Sequence, residues 1–157
     1  MSEARMVDVG DKAETRRRAV ARATLRCRPE TAAMIADASL PKGDAIATAR
    51  VAAVMAAKRT PDLVPLCHPL PLTFAEATFA VDSGHGEVVI EATVETTART
   101  GVEMEALTAV TVAALTIYDM AKMVDPAMVI AAAHLVEKEG GKSGLWRHPD
   151  AAGVEPG

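Results

Sequence analysis

The chain has 157 residues, half of them apolar, and a formal net charge of −4. That length suits one domain with a sizeable core, and the acidic balance argues against the broad basic surface that nucleic-acid binding needs. With only two Phe, one Tyr and one Trp, the core has to be built from small aliphatic side chains, which pack thinly and profit from burial between subunits.

Residues 1–15 are polar and read as a flexible leading segment, with 16–146 as a single domain and 147–157 as a polar tail. The opening MSEARMVDVG holds no apolar run, so no secretory signal is expected. The Ala-rich stretches are broken by Lys, Arg, Asp or Pro before about eighteen residues pass, too soon for a membrane span. Cys27 and Cys67 then read as reduced thiols of a cytoplasmic protein.

From Arg16 to Arg28 the residues alternate, with Ala19, Ala21, Ala23, Leu25 and Cys27 on one face and Arg18, Arg22, Thr24, Arg26 and Arg28 on the other, the pattern of a half-buried strand. Pro29 and Glu30 open a short helix to about Ala38. The loop Pro41-Lys42-Gly43-Asp44 ends in an N-cap, and a helix of small residues follows from about Ala45 to Lys58. Four prolines in residues 60–71 predict a stiff loop with no regular element. Leu72 to Asp82 and Glu87 to Arg99 are strand-like and joined as a hairpin by Ser83-Gly84-His85-Gly86. A long helix over 102–122, a last strand from Met128 to Glu139 and a flexible loop over 140–144 complete the chain. Counting the first helices as one crossover, the order is β-α-β-β-α-β. That is an α+β, ferredoxin-like arrangement, with an antiparallel sheet and helices packed on one face.

The most informative stretch is GVEMEALTAVTVAALTIYDMAK, Gly101 to Lys122. It is apolar, yet carries Glu103, Glu105, Asp119 and Lys122, and ionised groups beside such a surface are paired or chemically used. Asp119 and Lys122 share a helix face; they suit either a surface ion pair or an acid/base couple. Glu105 and Asp119 also fall on nearly the same face, but fourteen rises separate them by about 21 Å. One chain cannot bring both to one small site, which suggests an oligomer with a shared site.

The remaining candidates are weaker. Cys67-His68 in the proline-rich loop lacks the ligand spacing of a metal site, leaving a Cys–His nucleophile, a loop that aims His68 at a ligand, or mere packing. Lys42-Gly43-Asp44 before a helix suits an anion without completing a phosphate-loop pattern. Gly141-Lys142-Ser143-Gly144 either wraps a phosphate or links to the tail. Lys58-Arg59 ends a helix, where cations cap the dipole. Arg16-Arg17-Arg18 reads as an anion contact or a solvated edge, His85 as a turn residue, and His134 and His148 have no assigned role. Together these groups suit a small polyanionic substrate that needs proton transfers.

The segments MVDVG (6–10), KGDAIATAR (42–50), KRTPDLVPLCHPL (58–70), TGVEMEALTAVTVAALTIYDMAK (100–122) and GGKSG (140–144) closely resemble the cyclic pyranopterin monophosphate synthase family, also called the molybdenum cofactor biosynthesis protein C family. The resemblance implies the ferredoxin-like fold and a homohexamer, a trimer of dimers with active sites at the dimer interface. It implies conversion of 3′,8-cyclo-7,8-dihydroguanosine 5′-triphosphate to cyclic pyranopterin monophosphate with release of pyrophosphate. No cofactor is required, although Mg²⁺ could accompany the triphosphate. Carried over by position, Asp119 matches the family's catalytic aspartate. Leu66, Cys67 and His68, with Met104 and Glu105, match its substrate-binding segments. Lys42, Glu103 and Lys122 match positions tied to the active site, and Lys58 and Lys142 are looser matches. A Cys67 hydrolase and a non-catalytic binder of the same intermediate are the rival readings.

Overall fold

A computed structural model describes residues 2–151. Its elements are β1 (Thr15–Arg26), α1 (Pro29–Ala36), α2 (Ala45–Lys58), α3 (Thr60–Leu63), β2 (Leu72–Asp82), β3 (Glu87–Ala98), α4 (Glu103–Ala121), β4 (Val129–Glu139) and β5 (Trp146–Arg147), followed by a 3-10 turn at Pro149–Ala151. The strands form one antiparallel sheet in the order β2-β3-β1-β4-β5. Its first four strands and the two long helices are the ferredoxin-like α+β arrangement that the element order predicts.

Side-chain alternation sets the two faces of the sheet. Ala19, Ala21, Ala23 and Leu25 of β1 stand opposite Val94, Ala92, Ile90 and Val88 of β3, and all are buried. This face packs against α2 and α4. Ala49, Ala53 and Ala57 of α2 and Ala106, Ala109 and Ala113 of α4 are buried as well. Such small side chains let the two helices approach closely, and so compensate for the scarcity of aromatics. The opposite face carries a ladder of ion pairs: Arg16–Glu95 at 3.1 Å, Arg18–Glu137 at 2.5 Å and Arg22–Glu91 at 2.7 Å. Arg16 and Arg18 are thus paired across strands.

Several local features close the framework. Gly86, at φ +67°, ends the hairpin turn, where an added Cβ would lie 2.0 Å from the Cys27 carbonyl oxygen; only glycine fits. The Cys27 amide donates to the Gly86 carbonyl at 2.8 Å. Asp125, 3% exposed, accepts from the Arg28 amide and the Thr31 hydroxyl, both at 3.0 Å, tying the chain beyond α4 to the start of α1.

Three details depart from expectation. Thr60–Leu63 is one helical turn rather than loop, because its proline occupies the first turn, where a missing N–H is tolerated. The segment predicted as polar tail starts inside a strand: its first residue, Arg147, completes β5 with Trp146, and the two pair with Glu137 and Lys138 of β4; residues 152–157 lie outside the described residues. By length and composition α4 is long and apolar enough to cross a membrane, contrary to the count of interrupted stretches. Here nine of its residues are buried in the core.

Candidate active site

The charged residues of α4 form two clusters, one at each end. At the C-terminal end, Asp119 Oδ2 accepts from Lys42 Nζ at 2.8 Å and Oδ1 meets Lys122 Nζ at 2.7 Å. Lys122 reaches Asp119 because they are three residues apart on one helix. Lys42 is delivered by a tight turn: the Gly43 amide donates to the Leu40 carbonyl at 2.9 Å, Leu40 is buried and Gly43 takes φ +99°. Just beyond the turn, the Asp44 carboxylate accepts from the Ala47 amide at 2.9 Å and caps α2. The two ammonium groups, first Lys122 and then Lys42, pull the Asp119 carboxyl down to about 2. Asp119 in turn raises Lys122. Half of the Asp119 side chain is open to solvent, so in this chain it is an open anion between two cations.

At the N-terminal end, Glu105 is 2% exposed. Its Oε1 accepts a weak bond from the Cys67 thiol at 3.7 Å, and its Oε2 has no hydrogen-bond partner among the described residues. Burial, partly opposed by its own amide and the thiol and reinforced by the charge of Glu103, raises its pKa. Burial and then Glu105 push the Cys67 thiol up to about 11. Glu103 pairs with Lys138 of β4 at 3.2 Å. Its carboxylate folds over Gly101, where an added Cβ would lie 2.3 Å from Oε2.

Leu66, Cys67, His68, Glu103 and Met104 line one cavity of about 450 Å³ beside this cluster, to which the leading segment contributes Val7 and Lys12. Lys58 stands apart, in a neighbouring hollow with Leu70 and Phe74; Leu70 lines both. Lys142 is exposed on the 140–144 loop and makes no ion pair with the described residues.

The predicted residues therefore assemble as two groups: Lys42, Asp119 and Lys122 in one, and Leu66, Cys67, His68, Glu103, Met104 and Glu105 in the other. Lys58 and Lys142 join neither. About 21 Å of helix separates the two groups. The sequence reading missed Lys138, and it gave Arg17 only one of two open roles. Arg17 lies under the glycine loop, where a Cβ on Gly141 would come within 2.2 Å of its Nη1. Among the described residues no cluster of three or more His, Cys, Asp or Glu side chains could hold a metal ion.

The chain matches the MoaC family over residues 6–141. It is 59% identical to a cyclic pyranopterin monophosphate synthase of Roseiflexus castenholzii, covering 90% of each chain. It is 58% identical to the enzyme of that name from Chloroflexus aurantiacus, over 93% of this chain and 90% of the relative. It is 59% identical to that from Pelotomaculum thermopropionicum, over 92% and 85%. The chain belongs to the MoaC family.

Proposed function

We propose that this chain is a cyclic pyranopterin monophosphate synthase acting in molybdenum cofactor biosynthesis. Its substrate is (8S)-3′,8-cyclo-7,8-dihydroguanosine 5′-triphosphate, and pyrophosphate leaves as the cyclic phosphate forms. The observation that carries this reading is the Lys42–Asp119–Lys122 cluster, which has the charge and proton inventory the reaction needs, in a chain close to 60% identical to relatives of that name. Asp119 and Lys122 move protons while the guanine-derived ring opens and closes again as a pyranopterin. A hydroxyl of the former ribose then forms a bond to the α-phosphorus. The bridging P–O bond breaks toward pyrophosphate, and the hydroxyl proton passes to the cluster. Lys42 and His68, with Lys58, Lys142 and Arg17, neutralise the triphosphate. Leu66, Cys67, Glu103, Met104 and Glu105 hold the purine-derived end. The reading invokes no resident cofactor; any Mg²⁺ arrives with the triphosphate.

Because the two clusters lie too far apart within one chain, we place each site between two subunits of a homohexamer, a trimer of dimers, in which one subunit supplies Asp119 and its partner supplies Glu105. A nucleophilic role for Cys67 is disfavoured, since a thiol held near 11 and bonded to a carboxyl is almost never a thiolate at neutral pH.

The test is to incubate the purified protein with the cyclised dihydro-GTP intermediate and follow pyrophosphate and pterin together. Both products appearing in step support the synthase. Binding without product favours a non-catalytic binder, and pyrophosphate without pterin a hydrolase. The shared site has its own test. Asp119→Asn and Glu105→Gln subunits, each inactive alone, should regain about a quarter of wild-type activity when unfolded together and reassembled at random, since half of the dimers are then mixed and each carries one intact site. No recovery refutes the shared arrangement.

A further inference from the structure

The C-terminal segment is held to β4 by few contacts, and two histidines stand at their centre. Trp146 and Arg147 pair with Lys138 and Glu137, and the His148 amide donates to the Val136 carbonyl at 2.8 Å. The His148 ring lies against that of His134, with centroids 5.0 Å apart and planes at 57°, and Trp146 meets His148 edge-on at 6.1 Å. The Asp150 amide donates to His148 Nδ1 at 3.0 Å. That nitrogen must therefore be an acceptor, which requires a neutral ring with its proton on Nε2.

We propose that His134 and His148 form an acid-sensitive clasp, which holds residues 145–150 on the edge of β4 at neutral pH and releases them in mild acid. Protonating His148 places a proton on Nδ1 and breaks the bond from Asp150. Protonating both rings sets two cations with centroids 5.0 Å apart beside Arg22, which lies opposite His134 on β1. The charges around His134 are these: from β1, Arg22, itself paired with Glu91 of β3; from the C-terminal segment, His148 and the carboxylate of Asp150. Burial first, then His148 and Arg22, lower the pKa of His134, while Asp150 opposes them. A histidine whose pKa is lower in the docked state leaves docking intact above its free value, about 6.5. Docking weakens as pH falls from there through the docked value. The Arg147–Glu137 pair at 3.3 Å involves neither histidine, so it is not the contact that histidine protonation breaks. Release frees the loop that carries Lys142 and lengthens the open edge of β4.

Trp146 is the only tryptophan, so its fluorescence reports this segment alone. Acrylamide quenching of the full-length protein should be flat from pH 8 to about 6.5. It should then rise about two-fold by pH 5, as a ring now 38% exposed comes free, with unchanged far-UV circular dichroism. His148→Gln and His134→Gln should each remove that rise or move it down by about one pH unit. His148 lies on the surface segment, so its variant keeps the test available even if His134→Gln fails to fold. Flat quenching in the wild type, a rise that coincides with loss of secondary structure, or variants that titrate like the wild type would each overturn the clasp.

Discussion

Glu105→Met should make the protein more stable and inactive. The carboxyl is 2% exposed with Oε2 unpartnered, and a buried acceptor left without a partner costs about 1–3 kcal/mol. Methionine fills the same unbranched volume without that acceptor. It forfeits the 3.7 Å contact with the Cys67 thiol and the contact with its own amide, so the net gain is about 1–2 kcal/mol. In a chain of this size each kcal/mol moves Tm by about 2–4 °C, giving a rise of roughly 2–8 °C. The gain must also depend on pH. The folded-state pKa of Glu105 is raised by burial. Its contribution is therefore fully present below the ordinary carboxyl value, about 4.3, and is lost as pH rises through the folded value. The advantage of the variant should be largest near pH 7.5 and shrink toward pH 4.5. Calorimetry at fixed protein concentration at those two pH values measures it, and product formation is scored in parallel. A variant that is less stable at pH 7.5, by an amount independent of pH, would show that Oε2 is satisfied in the assembled protein and that Glu105 is a structural residue.

Asp119→Asn keeps the shape of the C-terminal cluster but removes the anion between Lys42 and Lys122. Product formation should fall at least about 100-fold, with the circular dichroism spectrum and oligomer size unchanged; turnover near wild type would take Asp119 out of the chemistry. Cys67, held near 11, should react with iodoacetamide at pH 7.5 roughly two to three orders of magnitude more slowly than an unperturbed thiol, as followed by peptide mass spectrometry. Cys67→Ser should retain turnover within about ten-fold; complete loss of activity would revive a nucleophilic cysteine.

What the sequence disclosed, and what it hid, follows from how local each signal is. The hairpin of β2 and β3 is legible because β-branched residues flank a glycine turn, and α2 because Asp44 caps a run of small residues. The chemical interest of Glu105 is legible from the apolar stretch around it, whereas its near-complete burial emerges only from the packing of α4. Thr60–Leu63 was misread because prolines were counted as breakers without regard to position. β5 left no trace, since two residues have no periodicity and are held only by pairing with Glu137 and Lys138. The placement of Lys138 was hidden for a different reason. Leu135 stands opposite Ala21 but Glu137 opposite Val20, with Val136 as an extra residue between them. Strict alternation from Leu135 would put Glu137 on the helix side of the sheet. The bulge at Val136 reverses this, turning Glu137 toward Arg18 and Arg147 and Lys138 toward Glu103. The contact between Lys42 and Asp119 spans 77 residues, so it could be expected only from the family resemblance.

The state of Asp119 gives a chemical reason for the shared site, beyond distance. A carboxylate half open to water and pulled down to about 2 by two lysines is a weak base, and proton transfer is most effective when the carrier titrates near the working pH. In the proposed assembly, covering the cluster with a second subunit and with substrate would remove water from Asp119. It also gives Lys42 and Lys122 phosphate oxygens to bind in place of the carboxylate. Both changes raise the Asp119 pKa and strengthen the remaining electrostatic contacts. Glu105, at the other end of the helix, is already dry and short of a partner. In the proposed composite site one subunit's open anion and the other's buried acid would face one substrate from environments that push their pKa values apart, the condition under which two carboxyl groups take different roles in one reaction. The helix α4 keeps the two groups apart within one chain, and in the proposed arrangement a second subunit would supply the missing half.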